Sequence, residues 1–403
     1  MKFFVAITCL FFASFCLAQP AHELVESPAG PTNPNRPITG AERLDQLLPL
    51  IKGKNVALLV NQTSVCGSTH LVDTLLASGI KIKKIFAPEH GFRGNADAGE
   101  HVNDSVDAKT GIPVVSLYGK KAKPSKDDLE GIEVIIFDIQ DVGARFYTFI
   151  SSLHYLMEAC SENNKQLIVL DRPNPNGWYV AGPVLKKEFQ SFVGVDPIPV
   201  VHGLTIGEYA QMVNGEKWMH NGAQCNLKVI SCLRYEHKMR TDLLIKPSPN
   251  LPNWKAILLY PSLCFFEGTN VSVGRGTDAP FQVIGSPKTK FEGAYEFTPE
   301  SKPGAKNPPF ANQKCYGRNL QNVYLPNHGE FTFQYVIDMY KLYTDKNDFF
   351  LKTGFFDKLC GTDEIRKLIE EGKSEKEISA AYQKELDAYK LKRKKYLLYK
   401  DFE

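Results

Sequence analysis

The sequence predicts an α/β fold in two domains, an open and mostly parallel sheet with helices on its faces followed by a smaller α+β part. Three observations predict it. Short apolar runs of strand length alternate with amphipathic runs of helix length from residue 42 onward, the pattern of βαβ units. Several of the short runs, such as "NVALLV" and "IEVIIFD", are apolar with hardly a break, as strands buried on both faces are. Four of them deliver polar side chains at their carboxyl ends, the edge at which open α/β sheets bind ligands. A chain of 403 residues with 43% hydrophobic composition can bury the core this requires.

The elements follow in order. "RLDQLLPLIKG" reads as a helix closed by glycine, and "NVALLVN" as a buried strand ending on Asn61 and Gln62. "STHLVDTLLASG" is a helix. "IKKIFA" is a strand whose continuation, "PEHGFRG", carries Glu89, His90 and Arg93. "PVVSLY" is a short strand. "IEVIIFDIQDVGARFYT" is a strand ending on Asp138, Gln140, Asp141 and Arg145, with a helix expected from near Phe146. "QLIVLDRPNPNG" ends on Asp171, Arg172 and Asn174. Beyond 177 the pattern is less regular. "VVHGLTIGEYAQMVNGEKW" ends a strand on His202 and starts a helix with Thr205 as N-cap. "KPSPNLPNW" is a proline-rich turn, and a glycine-rich loop holds Glu267, Arg275 and Asp278. "SEKEISAAYQKELDAYKLKRKKY" opens with a Ser374–Glu377 capping box and keeps a helical period. The pattern divides into an export segment (1–18), a proline-rich linker (19–41), an amino-terminal domain (42–260) and a carboxyl-terminal domain (261–403).

A formal net charge of +3 does not suggest a nucleic acid partner, and the basic run "KLKRKKYLLYK" reads as a solvated helix face. Residues 1–18 combine Lys2, a short apolar core and small residues before Gln19, the pattern of a cleaved signal peptide, and so predict a soluble periplasmic protein. Seven cysteines remain after such cleavage, with no CxxC pair and no zinc pattern. Most read as buried free thiols. A Cys225–Cys232 disulfide is the one pairing considered.

No glycine-rich dinucleotide or nucleotide motif and no G-x-S-x-G elbow is present, which disfavours those chemistries. What remains is carboxylates: Glu89, Asp138, Asp141, Asp171 and Glu267. Glycoside hydrolysis needs one carboxylic acid to protonate the leaving oxygen and a second group to attack or stabilise the oxocarbenium-like centre. Glu89, after an apolar strand and Pro88, suits a partly buried general acid with a raised pKa. The competing readings are a turn-capping acid for Glu89, a hydrogen-bonding scaffold for His90, helix N-caps for Asp138 and Asp141, and a mutual Asp171–Arg172 pair. Arg145, Arg172 and Arg275 can clamp a substrate carboxylate, and Tyr147 and Trp178 can stack on a sugar. A metal reading uses His90, His101, His202, Asp138 and Asp171, though no two stand at a ligand spacing on one helix.

The motifs "VNQTSV", "FAPEHGFRG", "DIQDVGARFYTFISSL", "VLDRPNPNG", "GPVL", "VHGLTIGEYAQMVNGE", "PSPNLPNW" and "FFEGTNVSVGRGTDAPFQVIGSP", in this order over roughly residues 42–403, resemble the exo-β-N-acetylmuramidase family called NamZ, also known as a domain of unknown function, DUF1343. The resemblance implies a Rossmann-like amino-terminal domain, a smaller carboxyl-terminal domain and a cleft between them. It implies release of N-acetylmuramic acid from the non-reducing ends of peptidoglycan fragments, with no cofactor. It places the proposed catalytic glutamate on Glu89. The second acid stays open among Asp138, Asp141 and Glu267. Asn61, Gln62, His90, Arg93, Gln140, Arg145, Tyr147, Asp171, Arg172, Asn174, His202, Glu267 and Arg275 are the candidate substrate-binding set. The competing class is a non-catalytic periplasmic sugar binder, and a metal-dependent hydrolase is the other alternative.

Overall fold

Six runs become a parallel sheet, the central ones apolar because they pair on both edges and bury both faces. The computed structural model describes residues 36–89, 91–92, 104–323 and 330–403. The expected export segment and nearly all of the linker lie outside the described residues. The strands are β1 (Asn55–Val60), β2 (Lys81–Ala87), β3 (Pro113–Ser116), β4 (Val134–Asp138), β5 (Gln166–Leu170) and β6 (Asn226–Ile230). Their spatial order is β6-β5-β4-β1-β2-β3, every pair parallel, with the short strand Ser105–Val106 antiparallel at the β3 edge. This is the doubly wound order of a Rossmann-like sheet, with its switch point between β1 and β4.

Helices α1 (Leu44–Ile51), α2 (Leu71–Ala77), α3 (Phe149–Glu162) and α4 (Ile206–Gly215) cover the sheet. Period-two alternation divides the strands between two cores. Val56, Leu58, Val60, Ile136 and Ile168 face Leu47 and Ile51 of α1 and Leu71 and Leu75 of α2. Ala57, Leu59, Ile135, Phe137 and Val169 face the side of Leu153, Leu156, Met157 and Tyr209, from α3 and α4. That second core continues without a break into Phe265, Phe333, Phe356 and Tyr382 of the carboxyl-terminal part. There α5 (Trp254–Leu263), α6 (Gln334–Leu342), α7 (Phe355–Cys360), α8 (Glu364–Glu370) and α9 (Glu375–Arg393) accompany a three-stranded antiparallel sheet of Val283–Ser286, Cys315–Asn319 and Tyr295–Phe297. Helix α5 runs through position 260, where the sequence pattern sets its domain boundary.

One strand goes beyond the sequence reading, and two further details complete it, the buried free thiols as that reading favoured. β6 is a sixth parallel strand within the stretch that looked irregular, because only alternate residues of "NLKVI" are apolar. The strand before His202, Pro199–Val201, pairs antiparallel with Ala181–Val184 in a separate ribbon. Cys225 and Cys232 are both buried free thiols, and the Cys232 thiol donates to the Asp171 carbonyl at 3.2 Å. Both predicted caps form: Thr205 with Glu208 opens α4, and Ser374 with Glu377 opens α9. The basic run at the end of α9 is paired, Lys390 and Lys394 with Glu403 and Lys392 with Glu216, as a solvated face would be. Among the described residues no helix is long and apolar enough to cross a membrane.

Helix α3 is pinned by a buried ion cluster. His154 Nδ1 lies 2.9 Å from Asp196 and Nε2 3.4 Å from Glu158. Burial opposes the imidazolium, but the bonds to Asp196 and Glu158 prevail and push His154 up to about 9. The bond to His154 is the main cause that brings Glu158 down to about 2. Raised His154 stabilises the fold fully below its ordinary 6.5 and loses that contribution as pH rises through about 9; lowered Glu158 contributes above its ordinary 4.5 and loses it as pH falls through about 2. His154→Gln should therefore cost roughly 3 kcal/mol between those ordinary values. In chemical denaturation the gap to the parent should close as pH passes about 9. A gap that stays constant from neutral to strongly alkaline pH would rule this linkage out.

Candidate active site

The carboxyl edge of the sheet carries the polar groups, and the structure divides them between two cavities and a buried network. The larger cavity, about 890 Å³, opens beside the ends of β2 and β3. Glu89 and Tyr118 line it from the sheet, and Tyr147 and Thr148 from the start of α3. Ser248 and Asn250 come from the proline-rich turn, Glu267 and Arg275 from the segment after α5, and the stretch 304–310 forms the rim. That volume suits a disaccharide-sized ligand. Among the described residues Glu89 and Glu267 are the carboxylates on its wall.

Glu89 is half-buried and accepts the Thr148 hydroxyl on Oε2 at 2.7 Å. Tyr118 lines the cleft beside it; burial, then the Glu89 charge, pushes that phenol well above its ordinary value and keeps it protonated. Tyr147 is buried, and its hydroxyl donates to the Pro247 carbonyl at 2.7 Å. Glu267 accepts from Arg275 Nε at 2.6 Å, and the Cys264 thiol lies 3.5 Å from its other oxygen. Arg275 stacks over the Phe281 ring at 5.1 Å, and its Nη1 is buried with no hydrogen-bond partner. Burial works against the Arg275 charge, but Glu267 outweighs it and holds the guanidinium above its ordinary range.

The centre of the edge is committed elsewhere. Asp138 is fully buried under Arg172, which donates to it through Nε at 2.6 Å and Nη2 at 2.9 Å. The expected Asp171–Arg172 side-chain pair is therefore not what forms. Asp171 instead accepts from Gly207 N, Thr205 Oγ1 and Tyr399. Burial and then the Glu208 charge push its carboxyl up to about 6. Asp141 caps no helix: its Oδ2 accepts from Gly143 N at 2.6 Å and lies 3.5 Å from His202 Nε2. His202 Nδ1 accepts from Leu204 N at 3.2 Å. Asn61 Oδ1 accepts from Thr63, while Gln62 donates to Lys246 O and Pro247 O. Asn174 donates to Leu204 O. Arg145 is no ligand clamp. It is fully buried and donates to the Pro183, Ile198 and Leu359 carbonyls. Gln140, whose amide binds Asp141 O and Pro173 O, lines with Arg172 a smaller cavity of about 160 Å³ at the switch point.

Of the sequence candidates, Glu89, Tyr147, Glu267 and Arg275 thus share the large cleft; Asp138, Asp141, Asn61, Gln62, Arg145, Asp171, Asn174 and His202 do not line it. The reason is physical. Polar groups at the ends of strands buried on both faces find their partners inside the protein. Trp178 lines neither cavity and lies against Tyr179. His90, Arg93 and His101 lie outside the described residues. Among the described residues no group of three His, Cys, Asp or Glu side chains is placed to hold a metal, and Asp138, Asp171 and His202 are separately engaged. The sequence reading missed Tyr118 and Thr148. The strand-end rule would have found the first at the end of "PVVSLY", and the helix-start rule the second.

Comparison with known proteins decides what the cleft belongs to. Residues 56–255 match the model of the exo-β-N-acetylmuramidase NamZ amino-terminal domain and 258–399 that of its carboxyl-terminal domain. The chain belongs to the NamZ family. It is 40% identical over 382 residues to the peptidoglycan β-N-acetylmuramidase NamZ of Bacillus subtilis (strain 168), covering 88% of this chain and 90% of that protein. Two crystal structures of DUF1343 family proteins from Bacteroides fragilis NCTC 9343 share its NamZ fold. One is 47% identical with a TM-score of 0.84, the other 31% with 0.78, and each match covers 91% of this chain and 99% of the other.

Proposed function

We propose that the protein is an exo-acting glycosidase that releases N-acetylmuramic acid from the non-reducing ends of peptidoglycan fragments, with Glu89 as its general acid. The observation that carries the residue assignment is the position of Glu89: a half-buried carboxyl on the wall of a sugar-sized cleft, with the Thr148 hydroxyl donating to it. Asp138, an alternative, is locked by Arg172. Asp141 is turned into the Gly143 turn. Glu267 is the second carboxylate on the wall and the remaining candidate for the partner group. The 40% identity to a curated β-N-acetylmuramidase favours an enzyme over a non-catalytic sugar binder. The substrate lies outside the cytoplasmic membrane, and the export pattern of residues 1–18 supports a periplasmic location.

Arg275 is the arginine that meets the muramyl group in this reading. N-acetylmuramic acid differs from N-acetylglucosamine by a lactyl ether that bears a carboxylate. Of the three arginines considered, Arg145 and Arg172 are already engaged, and Arg275 lines the cleft with a buried nitrogen unspent. Its loop is over-determined. Gly274 and Gly276 hold φ of +78° and +79°, and a Cβ on either would strike Val283 or the Glu300 carbonyl. Phe281 itself is held at φ +55°.

Two outcomes test this reading. Glu89→Gln should lower turnover of an N-acetylmuramyl disaccharide by roughly two to four powers of ten while leaving the melting temperature close to the parent's. An aryl N-acetylmuramide with an activated phenol needs less protonation and should lose less. Near-parental turnover of the disaccharide by folded Glu89→Gln protein would overturn the assignment. Arg275→Gln should erase most of the preference for an aryl N-acetylmuramide over the matching N-acetylglucosaminide, a change of at least tenfold in the ratio of kcat/KM. An unchanged ratio would remove Arg275 from substrate recognition.

A further inference from the structure

Thr148 holds Glu89 through a hydroxyl that its helix does not use, with Tyr118 on the same wall of the cleft. The place of Tyr118 follows from register. Strands β2 and β3 align Ala87 with Ser116, and Leu117 N continues the ladder to the Ala87 carbonyl at 2.8 Å. Two residues further on, Glu89 and Tyr118 leave neighbouring strands side by side and line the same cleft. Packing fixes the ring: Tyr118 meets Phe192 edge-on at 5.8 Å, and Phe192 stacks on Tyr155 of α3 at 6.2 Å.

Thr148 arrives from the other side. It stands at the N-cap position of α3, where a threonine hydroxyl ordinarily accepts a backbone N–H of the first turn. Here it makes no cap bond and donates to Glu89 Oε2 at 2.7 Å. The helix gives up a cap bond, and the glutamate gains an oriented donor. The amino-terminal end of α3 adds its partial positive charge to the same carboxyl.

We infer that Thr148 is a positioning residue for the general acid, its hydroxyl fixing the Glu89 carboxyl in the cleft and stabilising the carboxylate left once the proton has passed to the glycosidic oxygen. This rests on the proposed role of Glu89. The hydroxyl stays protonated, so no further group gains or loses a proton: one moves from Glu89 to the leaving oxygen, and the donor strengthens as negative charge develops on the carboxyl.

The test is a kinetic cycle. Thr148→Val should lower kcat on the disaccharide by roughly tenfold with KM within about twofold. Thr148→Ser, which keeps the hydroxyl, should restore the parental kcat. Placed on Glu89→Gln and assayed on the activated aryl glycoside, Thr148→Val should cost nothing more, since its partner has no proton to give. A further tenfold loss in that background, or a folded Thr148→Val protein with parental kcat, would overturn the inference. Those results leave the Glu89 assignment intact, because that assignment fails only if Glu89→Gln itself keeps its turnover.

Discussion

The two-pronged bond between Arg172 and Asp138 decides where this sheet can work. Both groups sit at the carboxyl ends of central strands, where an open α/β sheet ordinarily receives its ligand. Here the carboxylate is wholly buried and the guanidinium nearly so, and the spare Nη2 contact holds the Val65 carbonyl of the loop after β1. Separating the pair would leave a bare charge in the interior, at a cost of about 3–5 kcal/mol. The switch point is thereby tied shut apart from a cavity of about 160 Å³. The open cleft lies to one side, over β2 and β3, where the second domain supplies the opposite wall.

That displacement explains which residues remain for chemistry. Next to the switch point, Asn61, Gln62, Gln140, Asp141, Asn174 and His202 each make at least one hydrogen bond with neighbouring turns and loops. They brace the loops that carry the cleft. Glu89 lies one strand further out. The carboxyl-terminal domain adds the acid–arginine couple, Glu267 and Arg275, on a loop bent by two glycines in the left-handed region. One wall thus offers a carboxyl group and the other a guanidinium paired with an acid, groups that cleavage of a glycosidic bond next to an anionic sugar would call for.

The sheet was legible because both its signals are local: apolar runs of strand length, and helix starts such as Thr205 and Ser374 with a glutamate three residues on. β6 escaped because one of its faces carries Asn226 and Lys228. The site was half legible. Glu89, Glu267 and Arg275 stand in distinctive motifs, but nothing local tells a strand-end acid that meets substrate from one that meets an arginine thirty-four positions on, as Asp138 does. Arg145 shows the same limit: the carbonyls it binds come from residues 183, 198 and 359, and no spacing in the sequence announces them. Tyr118 needed the β2–β3 register to be read as a neighbour of Glu89.

The central claim is that sugar binds in the cleft beside β2 and β3 with its scissile oxygen at Glu89. A crystal structure of the Glu89→Gln protein with an intact N-acetylmuramyl disaccharide tests it most directly. The account predicts the glycosidic oxygen within about 3 Å of the residue-89 amide and the lactyl carboxylate on Arg275. A disaccharide seated in the switch-point cavity by Arg172 and Gln140, or bound in the cleft with its glycosidic oxygen turned away from residue 89, would contradict it.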